Sequence, residues 1–376
     1  LSTSLNTLSG RDADRRLYFC DEDPSMNGDV PIHSAGAAHA RLDALRAFEQ
    51  WCRDYPGAIP YSVALSGKRP RAVGDANRHA VIVLMQHGDE WGALPVLLEL
   101  LPWLRRVQEQ TSQATRLTLI LGNPQAAECG ERFITHDLNR CYPNPVGFAD
   151  PQRGAAEPAV GASDEQRRAH AIAGVVATAD MVLDVHQTRQ ATAHPFFVFP
   201  YHPASVALAE KMMAARVLLT RPLGHEGHSG CIDDFSHALD IPLVAIEVGQ
   251  RGDNPMSRVC ARQAMAGFAE LFFAGPESVR MRTPLHLISI TRRYTFSSKA
   301  DSVVDGLINL SPVCRGTLLM TDQETAIAPN DGFVVFIQRP HRNADGLIAG
   351  TIPRTALCFV EEFRHGGFNN QVQHVI

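Results

Sequence analysis

The sequence predicts an α/β protein, a sheet with helices on both faces, followed by a small all-β unit. Two observations carry this reading. Near-continuous apolar runs at 80–86, 115–122, 180–185 and 242–248 alternate with segments of helical spacing. Strands buried on both faces of a sheet have that pattern. After Gly275-Pro276 the character changes, and only short β-rich runs separated by turn residues remain.

In chain order, residues 36–52 place Leu42, Leu45, Phe48 and Trp51 or Cys52 at helical spacing, and Asp54-Tyr55-Pro56-Gly57 ends that helix. IPYSVALSG reads as a strand, with a turn through Lys68 to Asn77. AVIVLMQ (80–86) is a buried strand, a helix follows over about 92–107, and TRLTLILG (115–122) is a second buried strand. Asn144 to Ala162 is rich in Pro, Gly and Ala and reads as a long loop. Ser163 and Gln166 form a capping box that opens a helix to about Thr178. DMVLDV (180–185), strand FFVF, a helix around 203–217, PLVAIEV (242–248) and a helix over 256–273 complete this part. HLISITRRYTF, GTLLM, GFVVFI, GLIAGTI and ALCFVEEF make the β-rich remainder.

The 376 residues, 45% apolar and 20% charged, have the balance of an ordinary globular chain and exclude a disordered or repeat protein. A net charge of −5 argues against a nucleic-acid surface. No apolar run approaches the roughly 18 residues that span a bilayer, and the polar stretch Leu1–Gly10 does not read as a signal peptide. Eight scattered cysteines without a C-x-x-C pair fit free buried thiols in a reducing cytoplasm.

Four pieces carry chemistry. His87-Gly88-Asp89-Glu90 directly follows an apolar strand, and His186 of Asp184-Val185-His186 ends another. Ligands in open α/β sheets sit beyond the carboxyl ends of strands. Two histidines and one glutamate are an established catalytic zinc set that leaves a coordination position open. Taken singly, each histidine reads equally as a surface or satisfied core residue; together with Glu90 they converge. Glu247 interrupts the apolar run of AIEVG, where a carboxylate needs a partner or a task. It is a candidate proton carrier for hydrolysis or one half of a structural ion pair. Asn123-Pro124, Arg132 and Asp137-Leu138-Asn139-Arg140 put two arginines and an asparagine in one region. That set suits a developing oxyanion and a substrate carboxylate, or else a solvated surface.

NPQAAECGERFITHDLNRCYP, with HGDE upstream and DVH and EVG downstream, resembles the succinylglutamate desuccinylase and aspartoacylase family over roughly residues 60–275. These are zinc-dependent deacylases similar in catalytic fold to metallocarboxypeptidases. The resemblance implies a mixed central sheet of the zinc-carboxypeptidase type in a hydrolase domain over 1–280, with an N-terminal helical extension. A β-rich C-terminal domain would occupy 281–376. It implies one Zn2+ held by His87, Glu90 and His186, Glu247 as general base and acid, and Arg132 at the carbonyl oxygen. Asn139 and Arg140 would hold a substrate carboxylate, and Asp137 would brace a zinc histidine. The implied reaction is hydrolysis of a linear amide in a small N-acylated amino acid or related amine, by a cytoplasmic enzyme with no nucleic-acid or membrane partner. Gln187, where the family commonly has Thr, Cys141, where a bulky apolar residue is expected, and His225 and His228 depart from the pattern and leave the acyl group and amine open. A homo-oligomer also remains open. The alternatives are a metallocarboxypeptidase acting on peptides and a non-catalytic zinc- or ligand-binding protein on the same fold.

Overall fold

The computed structural model describes residues 35–66, 78–111, 114–145, 148, 158, 160–221, 223, 230–274, 284–321, 326–343, 347–348, 353 and 355–363. The expected turn at 68–77, most of the loop at 144–162, and His225 and His228 lie outside them.

The first helix, α1, spans Ala35–Asp54. The strands of the first part are β1 (Ser62–Ser66), β2 (Arg78–Leu84), β3 (Thr115–Leu121), β4 (Met181–Thr188), β5 (Phe196–Pro200), β6 (Val217–Arg221) and β7 (Leu243–Gln250). Helices α2 (Leu94–Gln110), α3 (Pro124–Cys129), α4 (Asp164–Val176), α5 (Pro203–Met212), α6 (Ile232–Ala238) and α7 (Pro255–Ala274) connect them. The second part holds β8 (His286–Tyr294), β9 (Ser302–Val303), β10 (Ser311–Val313), β11 (Met320–Thr321), β12 (Gly332–Val335) and β13 (Leu357–Glu362). No helix occurs among its described residues.

One mixed sheet runs in the order β1-β3-β2-β4-β7-β5-β6-β8-β13-β12-β10. Strands β3, β2, β4 and β7 are parallel, so their carboxyl ends share one edge. β5 turns antiparallel to β7, and β6 and β8 run parallel to β5. The apolar runs are continuous because both faces are covered. Ile82 and Leu84 point into the core beneath α1, α2, α5 and α7, whereas Val81 and Val83 point into the core beneath α4 and α6. The same alternation splits Leu183 from Val182, and Ile246 from Ala245.

The β-rich C-terminal strands extend this sheet. β8 pairs with β6 from Val217↔His286 to Thr220↔Ser289, and β13, β12 and β10 follow antiparallel. They also pack a core of their own around Tyr294, Phe296, Leu319 and Phe359. The expected helix over 203–217 ends at Met212, because Met213 adopts a left-handed φ of 56° and Val217 already begins β6. The short helices α3 and α6 were not predicted. Among the described residues no helix is long and apolar enough to cross a membrane, and all seven described cysteines are free, three of them buried.

The capping box is formed in full: Ser163 Oγ accepts from Gln166 N, and Gln166 Oε1 accepts from Ser163 N. Ser163→Ala should therefore lower stability by about 1 kcal/mol, read as a lower denaturant midpoint at unchanged slope.

Candidate metal centre and active site

The site forms where β2, β4 and β7 end. At the end of β2 the chain turns through Met85, whose φ of 57° is in the left-handed region and disfavoured for a side chain with a Cβ. The loop beyond it carries Gln86, His87 and Glu90. Gly88 holds this loop against the start of α3, where a Cβ would lie 2.3 Å from the Ala126 carbonyl carbon and the Ala127 nitrogen. Gly88 N–H donates to the Arg132 carbonyl at 3.0 Å, which ties the Arg132 segment to the same loop. On β4 and β7, His186 and Glu247 are register partners on neighbouring strands.

His87, Glu90 and His186 are all buried, and their ligand atoms lie within 4.8 Å of one another. Both imidazoles turn Nδ1 toward the Glu90 carboxylate, His87 at 2.8 Å from Oε1 and His186 at 3.0 Å from Oε2. Both turn Nε2 toward a second carboxylate: His87 to Asp137 Oδ1 at 3.0 Å, and His186 to Asp184 Oδ2 at 2.7 Å. A carboxylate only accepts, so each ring meets an acceptor at both edges; burial works against a charge on His186, but Asp184 and Glu90 hold its imidazole well above its ordinary range. A cation bound among Glu90 and the two Nδ1 atoms would take the place of the Nδ1 protons and leave each Nε2–H to donate to Asp137 or Asp184. His87 Nδ1 is buried and makes no hydrogen bond. Electron pairs from two imidazoles and one carboxylate facing a common point fit a divalent cation, and this donor set suits zinc.

Arg132 lies against this group, with Nη1 donating to Glu90 Oε1 at 3.0 Å and Nη2 at 3.6 Å from Asp137 Oδ2. Its Nη2 is also 2.7 Å from His87 Nε2. With an Nε2 proton directed at Asp137, this is a neighbouring cation rather than a second bonded partner. Burial works against the Asp137 carboxylate, yet the His87 hydrogen bond and the charges of Arg132 and Arg140 hold it well below its usual range.

Glu247 is different. Its Oε2 is buried and has no hydrogen-bond partner. Burial first, and the Glu90 charge second, push its carboxyl above the ordinary range of about 4.3. A raised, unengaged carboxylate beside a metal-ligand group has the properties of a proton carrier.

Asn139 and Arg140 lie in a short 3-10 turn, Leu138–Arg140, whose first turn is capped by Asp137. Asn139 Oδ1 accepts from Ile232 N at 3.0 Å, and Arg140 Nη1 donates to the Asn139 carbonyl at 2.5 Å and to Cys231 Sγ at 3.1 Å. His87, Glu90, Arg132, Asn139, Arg140, His186 and Glu247 all line one cavity of about 300 Å³, and Asp137 stands behind His87. The far wall comes from the C-terminal part, through Arg293, Asn309, Gln338 and Cys358.

Sequence reading missed that wall, since nothing local in those β-rich runs marks a residue as facing a site built from strands far upstream. It also missed Asp184, although Asp-x-His on a strand puts both side chains on one face. Asp184 Oδ2 accepts from Gln86 Nε2 as well, at 2.6 Å.

A family model described as the succinylglutamate desuccinylase/aspartoacylase catalytic domain matches residues 77–272. The chain is 27% identical over 197 residues to a succinylglutamate desuccinylase from Shewanella sp. (strain MR-4), covering 48% of this chain and 53% of that protein. It is 24% identical over 265 residues to one from Yersinia enterocolitica, covering 66% and 75%. The match thus spans about half the length of the Shewanella relative. Among solved structures, the fold is similar to a succinylglutamate desuccinylase from Vibrio parahaemolyticus, with a TM-score of 0.58 at 17% identity over 81% of this chain and 86% of that one. It is also similar to a product-bound ectoine utilization protein from Ruegeria pomeroyi, with a TM-score of 0.56 at 18% identity over 80% and 88%.

A carboxyl whose native pKa is raised contributes stability that is present in acid and is lost as pH rises through that pKa. In metal-free protein, Glu247→Gln should therefore gain melting temperature relative to wild type as pH is raised from 4 to 8. Parallel melting curves for the two proteins across this range would contradict the raised Glu247.

Proposed function

The chain belongs to the succinylglutamate desuccinylase/aspartoacylase family, and on that premise we propose that it is a zinc-dependent deacylase of small N-acylated amino acids or related amines. The observation that carries this reading is Glu247. Its unengaged, raised carboxyl stands in register with His186, beside a buried set of two histidines and a glutamate.

His87, Glu90 and His186 would hold one Zn2+, with Asp137 and Asp184 orienting the two rings. Bound there, zinc supplies a Lewis acid and lowers the pKa of water from 15.7 toward about 7. Glu247 takes the proton from the attacking water and later delivers it to the departing amine, a cycle for which a pKa above the usual carboxylate range is suited. Arg132 is half-buried; burial works against its charge, and the neighbouring carboxylates, Glu90 foremost, more than offset it. Its guanidinium stabilises the oxygen that gains charge as the carbonyl is attacked. Arg140, braced by the Asn139 carbonyl and Cys231, and Asn139, with Oδ1 committed to Ile232, present donors to a substrate carboxylate.

The small size of the cavity supports a small substrate over a peptide. The C-terminal residues Arg293, Asn309, Gln338 and Cys358 face the metal ligands across about 300 Å³, the lower end of the range for small-molecule sites. Free cysteines fit the cytoplasm as its compartment.

The test is a panel of N-acetyl and N-succinyl amino acids, with short peptides as competitors, assayed after chelation and after Zn2+ is restored. The expected result is release of a free amino acid or amine from one acyl class, abolished by chelation and recovered with zinc. Release from peptides alone would favour the carboxypeptidase, and zinc uptake without hydrolysis would favour a binding protein. On the cleaved substrate, Glu247→Gln should retain zinc and lose about 10²–10⁴ in kcat. Arg132→Ala should lose about 10²–10³ in kcat, while Arg140→Ala should act mainly by raising KM.

A further inference from the structure

Gln187 directly follows a metal-ligand candidate, is 2% exposed, and has every hydrogen-bonding atom of its side-chain amide engaged except one acceptor lone pair. Its Oε1 accepts from Gly92 N at 2.8 Å. Its Nε2 donates to the Gln250 carbonyl at 2.9 Å and to the Gly252 carbonyl at 2.8 Å. Gly92 lies two residues beyond Glu90, and Gln250 three residues beyond Glu247. One side chain on β4 thus joins the loop of His87 and Glu90 to the end of the strand that carries Glu247.

The backbone around it explains why a side chain is needed there. The β4–β7 ladder slips by one residue between the pairs His186↔Glu247 and Thr188↔Gln250. A bulge of this kind interrupts the ladder and leaves backbone groups to be satisfied by other means. Gln187 donates to two carbonyls at and just beyond the end of β7, a junction that Asn254 Nδ2 and Ser257 Oγ also serve. Its own N–H donates to Glu90 Oε2 at 3.1 Å, the same oxygen that faces His186 Nδ1. The seam is tight: a Cβ on Gly92 would lie 1.9 Å from the Gly252 oxygen and 2.7 Å from Gln187 Nε2. An Asp89–Arg251 ion pair crosses the same seam.

We propose that Gln187 is a positioning residue for the metal centre, which sets where the Glu90 carboxylate stands relative to His186 and Glu247. It does so by pinning the Glu90 loop to the bulge at the end of β7. The proposal rests on the metal-site reading above. It requires an amide at 187, because only a group with an acceptor at one end and two donors at the other matches Gly92 N–H and the two carbonyls. Glutamate would set oxygen against carbonyl oxygen, and leucine would leave all three backbone groups without this partner.

The test uses Co2+ on the full chain, since its visible absorption reports ligand geometry and Zn2+ is silent. Wild type, Gln187→Leu, Gln187→Glu and a core control, Leu97→Ala on α2, are compared for melting temperature without metal, Co2+ affinity and Co2+ spectrum. The two Gln187 variants are expected to bind Co2+ about 10- to 100-fold more weakly with an altered visible band. Leu97→Ala is expected to lose melting temperature and keep the wild-type affinity and band. Should Gln187→Leu fail to fold, the isosteric Gln187→Glu carries the comparison. Wild-type affinity and band in a folded Gln187 variant would overturn the proposal and leave the deacylase reading standing. A wild-type chain that takes up no Co2+ would overturn both.

Discussion

Glu90 is the pivot of the molecule. Its carboxylate is buried and faced by the Nδ1 edges of two imidazoles, whose other edges are committed to Asp137 and Asp184. In a low-dielectric interior, electron pairs directed at one point cost free energy unless something positive lies among them. Arg132 meets part of that need from the side through Glu90 Oε1. The chemistry of the donor set matches a divalent cation for the rest. Burial first, and the Glu90 charge second, keep Glu247 protonated to higher pH than an ordinary glutamate.

That convergence depends on backbone geometry more than on the four side chains themselves. Three parallel strands deliver their carboxyl ends to one edge, and the direct register of His186 with Glu247 fixes these two side chains one strand apart. Met85 takes a disfavoured conformation to swing the loop over the sheet, and Gly88 lets it seat on α3. Strain held at such a point persists because the surroundings over-determine it.

Much of this was legible in the sequence, for identifiable reasons. Runs such as 80–86 read as strands because both faces are covered, so residues 80–85 are all apolar. The capping box at Ser163 is a local contract between two side chains, and it formed as read. His87, Glu90, His186 and Glu247 stood out because polar residues at the ends of apolar runs are costly without a purpose. What escaped notice was either short or remote. α3 and α6 have six and seven residues, too few for periodicity to show. β6 was not read as a strand because the helix expected over 203–217 runs up to its first residue, and Val217-Leu218-Leu219 is too short an apolar run to declare itself. The cavity wall at Arg293, Asn309 and Cys358 depends on strand pairing that only the tertiary structure reveals.

The pairing of β8 with β6 has a wider implication. A tail that merely abutted the catalytic part could be trimmed or exchanged at little cost. Here its removal would bare the length of β6 as an unpartnered edge, a template for sticking to other chains. It would also strip the chamber of one side. Tail and catalytic half are therefore bound to vary together, and drift in the distal strands is a route by which relatives of one reaction type can come to prefer different molecules.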